Sequence, residues 1–370
     1  MAVKVTLMFD ALDEYLSKVI TCKKVPSLSV SLVNKNRIVF SASYGFVNKW
    51  NCNSTSNLKF DIASLTKIFS GICFMKLVES GYISLSDHVC DIFPEFNKIK
   101  PIEKNGKLID YCDASRITWY HVLTHTTGMG WTREKTRPSL PNLDKGLDDI
   151  FNLPFAYKPG NHVVYSDIPI ILMGKAMEMI TESKLDDLVS DMICVPLGLE
   201  NTGYLRRSLI KPDTSNIVPT EFDEVFRKRR IWGEVHDENA FLLDGVSAHA
   251  GIFSTVEDLS KLAIAYNNCL KEDGLLKRST VMNMIQQHVE ENGDRRGLIW
   301  QLSGHLENSY TRFLSSSAYG HSGFTGCFLW TDPDREFSII LLSNDIYNGR
   351  ENRKLLKHRS EIMRLAVQYL

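Results

Sequence analysis

The chain predicts an α+β fold: an antiparallel sheet flanked by N- and C-terminal helices, with a mainly helical lobe inserted into it. Three observations carry this reading. Strand-like pairs with tight turns stand near both ends of the chain. Apolar helix patterns and ten prolines between residues 94 and 219 fill the middle. Both termini show helical spacing of apolar residues. Strands at both ends and helices between them imply one sheet built from both ends and interrupted by an insertion. The expected lobes are 1–84 with 239–370, and 85–238, with the active site in the cleft between them.

Met8, Leu12, Tyr15 or Leu16, and Val19 recur at helical spacing, which predicts an amphipathic first helix. Ser27–Val33 and Ile38–Phe46 read as strands joined by Asn34-Lys35-Asn36-Arg37, a hairpin signal. Ile68, Ile72, Met75 and Val78, stopped by Gly81, predict a core helix. From about Leu85 to Glu238 the chain reads as helices and long loops. Gly326–Thr331 and Glu336–Ser343 flank Asp332-Pro333-Asp334-Arg335, a second hairpin. Asn352–Leu370 reads as a closing helix through Leu355, Leu356, Ile362 and Leu365.

At 370 residues the chain can bury a large core. Its 44% hydrophobic and 24% charged content is that of an ordinary globular protein. A formal charge of −1 without basic or acidic runs disfavours nucleic acid and membrane surfaces as partners. The longest apolar runs, such as Phe337–Leu342, are too short to span a bilayer. Asp10, Asp13 and Glu14 interrupt any signal-peptide core, so a cytoplasmic location is expected unless an export signal has been removed. The eight cysteines are scattered without a Cys-x-x-Cys pair, which supports neither zinc nor a dithiol site and favours a reducing compartment.

Ser64 opens the core helix, and Lys67 follows three residues later on the same face. A serine hydroxyl needs a neighbouring base to become a nucleophile. A lysine serves if its surroundings keep it neutral. A helix N-terminus adds N–H groups where an oxyanion would form. Ser-x-x-Lys also occurs at Ser56–Lys59 and Ser208–Lys211, but neither opens an apolar helix. The plain reading of each match is a surface serine beside a solvated lysine.

Tyr165-Ser166-Asp167 lies on a loop just before the apolar run Ile168–Ile180. A phenol projecting into a cleft there can pass a proton between nucleophile and leaving amine. The plain reading is a buried tyrosine with Ser166 and Asp167 as helix caps. His321-Ser322-Gly323-Phe324 leads into a strand. A basic residue, a hydroxyl and a glycine on a strand edge can hold a carboxylate and a peptide backbone. Its plain reading is a glycine-rich turn with a solvated histidine.

Ser-x-x-Lys, then Tyr-x-Asp, then His-Ser-Gly, in that order, resembles the penicillin-recognising serine hydrolases. The nearest branch holds class C β-lactamases, D-alanyl-D-alanine carboxypeptidases and related esterases. Ile117–Gly128 with its Leu-Thr-His125-Thr-Thr-Gly, Val195-Pro-Leu-Gly198 with Asn201-Thr202, Gly233–Ala240 and His249–Thr255 resemble framework segments of that family. The resemblance runs from about residue 25 to 350 and implies a β-lactamase/transpeptidase-like fold. It implies Ser64 as acylated nucleophile, Lys67 and Tyr165 as proton handlers, and His321, Ser322 and Gly323 as substrate-binding strand. It places the oxyanion hole at the backbone N–H groups of Ser64 and Phe324.

Two departures carry consequences. Asp167 replaces the family's asparagine. It is expected either to hold Lys67 charged or to bind a substrate ammonium. His321 replaces the lysine of many β-lactamases, so carboxylate binding is expected to be weaker and pH-dependent. His125 and His249 read as hydrogen-bonding framework residues, and His236 with Asp237 as cleft-rim residues. The expected activity is serine hydrolysis of a D-amino peptide, then of a small ester, then of a β-lactam. No cofactor and no metal is implied. The competing reading is a catalytically silent peptide- or muropeptide-binding protein.

Overall fold

The computed structural model describes residues 9–21, 25–45, 58–130, 147, 149–209, 212–304 and 309–368. Ser56, Lys211, Met8, Phe46, two of the eight cysteines and the last two residues lie outside them.

An eight-stranded antiparallel sheet organises the chain. Its strands are β1 (Ser27–Asn34), β2 (Arg37–Gly45), β3 (Val289–Glu291), β4 (Asp294–Arg296), β5 (Gln301–Leu302), β6 (Tyr319–Ser322), β7 (Phe328–Asp332) and β8 (Phe337–Ser343). Their spatial order is β3-β4-β5-β6-β7-β8-β1-β2. The N-terminal hairpin therefore pairs with the C-terminal one, β1 against β8 from Leu28↔Ser343 to Asn34↔Phe337. Lys35 and Asn36, both left-handed, turn the first hairpin, the backbone that a two-residue connection favours.

Every residue of β8 is buried, so its alternate residues serve two cores. Ile339 and Leu341 face the cluster built with α1 (Asp10–Thr21) and the C-terminal α6 (Arg359–Val367). Ile340 and Leu342 face the larger cluster containing α2 (Thr66–Glu79), α3 (Ile168–Thr181), α4 (Val256–Asn268) and residues of α5 (Arg278–Ile285). Leu12, Leu16 and Val19 are all buried, as helical spacing requires.

The α+β architecture is the one expected, with differences in detail. Residues 99–113 form a β-hairpin inside the stretch read as helices and loops. Asn105-Gly106, both at positive φ, was its sequence signal. Strands β3 to β5 have two or three residues each, too short for a period to register. The closing helix begins at Arg359, after a 3₁₀ turn at Leu355–His358.

Candidate active site

Ser64 sits in a 3₁₀ turn, Ala63–Leu65, between the short strand Phe60–Asp61 and α2. Ala63 is left-handed at φ 47°, a conformation that costs a non-glycine residue energy and needs external support. Asp61 supplies it. One carboxylate oxygen accepts the Ala63 N–H at 2.8 Å and the other accepts the His236 N–H at 2.6 Å. The nucleophile turn and the 236–240 segment are thereby pinned to one residue.

Lys67 is fully buried, which an ammonium tolerates only when paired. Its Nζ donates to Ser64 Oγ at 3.0 Å and to the His249 carbonyl at 3.0 Å. The third neighbour is Asp167 Oδ1 at 2.7 Å. Three oxygens thus surround the ammonium. Burial pulls the Lys67 pKa down, but Asp167 and Tyr165 outweigh it and hold it above the ordinary lysine value. Of the two roles expected for Asp167, the lysine partner is the one formed here.

Asp167 stands at the N-cap position of α3 without making a capping hydrogen bond. Ser166 donates instead to the Gly130 carbonyl at 2.8 Å. The capping reading of both residues is corrected: the first is drawn off by the Lys67 charge and the second by a neighbouring loop.

The Tyr165 hydroxyl is buried, with Lys67 and Ser64 as its polar neighbours. Lys67 Nζ lies 4.9 Å from its ring centroid and the Arg296 guanidinium 5.5 Å. Burial raises the phenol pKa, which nearby Lys67 partly offsets. The His125 ring packs 4.7 Å from that of Tyr165. His125 Nδ1 accepts the Ser166 N–H at 3.4 Å, so its framework reading stands.

His321, Ser322, Gly323 and Phe324 all line the cleft with Ser64, at the end of β6. A Cβ on Gly323 would meet the Ile62 carbonyl at 2.6 Å. Only glycine lets this strand end approach the nucleophile turn so closely. Phe324 is 42% exposed and stacks on His236, with ring centroids 5.6 Å apart.

The expectation of a half-charged His321 is overturned. The residue is 3% exposed. Burial, with Lys67 and Arg296 nearby, pushes its pKa down to about 3. Its Nδ1 lies 2.8 Å from the Ser322 carbonyl. A carbonyl only accepts, so Nδ1 carries the proton and Nε2 is a lone pair, unpartnered among the described residues.

The cation that the sequence reading missed is Arg296, on β4, two strands from His321. Its side chain is 9% exposed and paired with Asp294, which accepts from Nη2 at 2.9 Å and lies 2.8 Å from Nε. Nη1 makes no hydrogen bond among the described residues, and the side chain lines the cleft. No motif marks an arginine that reaches the cleft through strand order.

His236 and Asp237 line the cleft, as expected. His249 does more than hold a framework. Its Nε2 meets Asp237 Oδ1 and its Nδ1 meets Ser247 Oγ, both at 2.8 Å, while its carbonyl takes Lys67. The cleft encloses about 550 Å³.

The family described as Beta-lactamase matches residues 12–362. Proteins of Salmonella agona (strain SL483) and Salmonella typhi, both provisionally described as D-alanyl-D-alanine carboxypeptidases, are 28% identical over 89% of this chain and 81% of theirs. The fold is that of EstCE1, a hydrolase with promiscuous acyltransferase activity (TM-score 0.73, 18% identity, 97% of this chain and 100% of that one). It is also that of a class C beta-lactamase (0.72, 16%, 97% and 96%). A third similar fold is the octameric penicillin-binding protein homologue from Pyrococcus abyssi (0.70, 20%, 94% and 76%). No described helix is long and apolar enough to cross a membrane.

Proposed function

The chain belongs to the beta-lactamase family and is a serine hydrolase, and on that premise we propose that it cleaves small D-amino peptides through an acyl-enzyme on Ser64. The carrying observation is Arg296. Its guanidinium is held by Asp294, lines the cleft, and stands beside Tyr165 and His321. A fixed guanidinium edge suits a carboxylate. The description of the Salmonella relatives points to the same substrate class.

In this reading Ser64 Oγ attacks the scissile carbonyl carbon as the Tyr165 phenol takes up the Ser64 proton and hands its own to the scissile nitrogen. Lys67, held as an ammonium by Asp167, stabilises the charge that develops on Oγ and on the phenol. The backbone N–H groups of Ser64 and Phe324 receive the oxyanion. The C–N bond then breaks and the protonated nitrogen leaves as the free amine, with Tyr165 a neutral phenol as at the start. Water then adds to the ester carbonyl of the acyl-enzyme, and Ser64 recovers its proton as the acid leaves. Ser322 and Gly323 offer the strand edge to the peptide backbone.

The test is covalent labelling by a serine-directed phosphonate and by a fluorescent penicillin. Ser64→Ala is expected to abolish both, while Ser208→Ala labels as the unaltered protein does. Labelling that survives Ser64→Ala overturns the reading. A protein that never labels is the silent binder.

A further inference from the structure

Asp167 is taken by Lys67, and of the other carboxylates that line the cleft, Asp237, Glu238 and Glu351, Asp237 has an oxygen within 4.8 Å of it. One carboxylate oxygen of each aspartate and a ring nitrogen of His249 lie within 4.8 Å of one another. Both aspartates line the cleft, with side chains 26% and 28% exposed. Asp237 Oδ1 accepts from His249 Nε2 and from the Ala240 N–H, each at 2.8 Å. Its Oδ2 makes no hydrogen bond among the described residues.

The surrounding charges leave this carboxylate available. Glu238 beside it is matched by Arg350 at 2.8 Å. Arg227 donates to the backbone carbonyls of Val235, His236 and Asp237 and not to the Asp237 carboxylate. Asp61 and His236 face each other through the His236 backbone N–H. Burial works to raise the Asp237 pKa, but His249, the Ala240 N–H and His236 together hold it below the usual carboxylate range. An ionised carboxylate therefore faces the substrate.

A metal ion suits this cluster poorly. Asp237 Oδ1 only accepts, so His249 Nε2 carries a proton, and Nδ1 is occupied by Ser247. Neither ring nitrogen has a lone pair to offer, and the Lys67 ammonium already lies 2.7 Å from Asp167. The cluster suits an N–H donor. A second observation independently calls for donors in this cleft: His321, 3% exposed, presents its unpartnered Nε2 lone pair there.

We propose that Asp237, flanked by the outer edge of Asp167, binds a free ammonium on the acyl portion of the substrate. The inference rests on the Ser64 acyl-enzyme reading above and narrows its substrate. Lys67 touches Ser64, Asp167 and the His249 backbone, so the anionic edge begins one side chain away from the nucleophile. An α-ammonium, two bonds from the scissile carbonyl, falls within its reach. Arg296, beside Tyr165, takes the carboxylate of the leaving amino acid. A peptide gripped at both ends is a free dipeptide.

The experiment compares D-Ala-D-Ala with N-acetyl-D-Ala-D-Ala on the full chain, with rates normalised to phosphonate-titrated Ser64. At pH 7 the free dipeptide should have the higher kcat/KM, by roughly tenfold or more. The preference should collapse above the α-amino pKa, nominally about 7.7–8.0. Asp237→Asn, which keeps a capping oxygen for Ala240, should reduce the preference to within roughly twofold by removing the charge-assisted contact. Equal rates for the two peptides in the unaltered protein overturn the proposal, and that comparison needs no variant. Cleavage of neither peptide by an enzyme that a neutral ester still acylates overturns it too, and leaves the acyl-enzyme standing. Loss of ester acylation instead overturns the reading beneath. Equilibrium dialysis with zinc should find none bound. Stoichiometric zinc that disappears in Asp237→Asn would make the cluster a metal site and overturn the ammonium assignment.

Discussion

Lys67 Nζ lies 2.7 Å from Asp167 Oδ1, the lysine fully buried and the aspartate a quarter exposed. The pair links the first turn of α2 to the residue that precedes α3. It holds as an ammonium the group that would otherwise be the natural base for Ser64.

Asp167→Asn removes the negative charge with little change of shape. The Lys67 pKa should fall, because Asp167 is the largest influence holding it up. A neutral lysine can then take the Ser64 proton, so the rising limb of neutral-ester acylation should move to lower pH. An interaction of this kind is worth on the order of 1–3 kcal/mol, or roughly five- to a hundredfold in rate. Stopped-flow acylation from pH 5 to 10 reads it. A slower rate with an unmoved profile would mean that Asp167 itself relays the proton.

His321 should not titrate where a free histidine does. With its pKa near 3 it stays neutral from pH 5 to 8. KM for a carboxylate substrate should then follow the same pH course as KM for a neutral ester. A midpoint near the ordinary histidine value, about 6.5, in the carboxylate series alone would restore charge to His321.

Arg296→Gln should raise KM for carboxylate substrates roughly ten- to a hundredfold, the scale of a charge-assisted hydrogen bond. Neutral esters should lose far less. Arg296→Lys should recover only part, since lysine lacks the fork that pairs with Asp294 while presenting a third N–H group. Steady-state kinetics on matched amide and acid substrates decide this, and equal losses for both overturn the carboxylate role.

Acid should destabilise the fold through its buried histidines. His125 and His321 are both held well below the ordinary value, chiefly by burial. A depressed histidine is protonated first in the unfolded chain, so its stability is present above the unfolded pKa and lost as pH falls through that value. Each should cost about 1.4 kcal/mol per pH unit below roughly 6.5 until its folded pKa is reached. Urea midpoints at pH 7, 6 and 5 should fall in step. His321→Gln should reduce the slope, and an unchanged slope would show that His321 titrates alike in both states.

Gly323→Ala places a methyl 2.6 Å from the Ile62 carbonyl, next to the Ala63–Ser64 turn. Backbone cannot move aside as a flexible side chain would, so β6 and the nucleophile turn should separate. Acylation should drop at least roughly tenfold with a loss of about 1–3 kcal/mol in stability. Thermal melting and phosphonate labelling measure the two effects. Retention of both would mean the contact is not needed.

Local patterning carried much of this protein. The Ser64 helix, the two hairpins joined across the sheet and the amphipathic first helix were legible because each is an apolar or periodic run of five or more residues. The strands that deliver Arg296 and Asp294 have two or three residues, and the 99–113 hairpin was signalled only by its Asn-Gly turn. The expected site residues line one cleft or touch those that do, because each stands at the start of a helix or the end of a strand, where spacing and capping chemistry mark a position.

What the sequence by itself determined was the residue types and their order: a serine opening a core helix, a lysine one turn on, a tyrosine before a second helix, a His-Ser-Gly strand. What only the tertiary structure decided was their charge. Protonation depends on burial and on neighbours distant in the chain. His321 is neutral because the sheet buries it near Lys67 and Arg296. Lys67 is charged because Asp167, a hundred positions away, meets it at 2.7 Å. Asp237 is left facing the cleft because His249 and Ala240 occupy only one of its oxygens. Desolvation and Coulomb interaction act through space, so no spacing of letters encodes them.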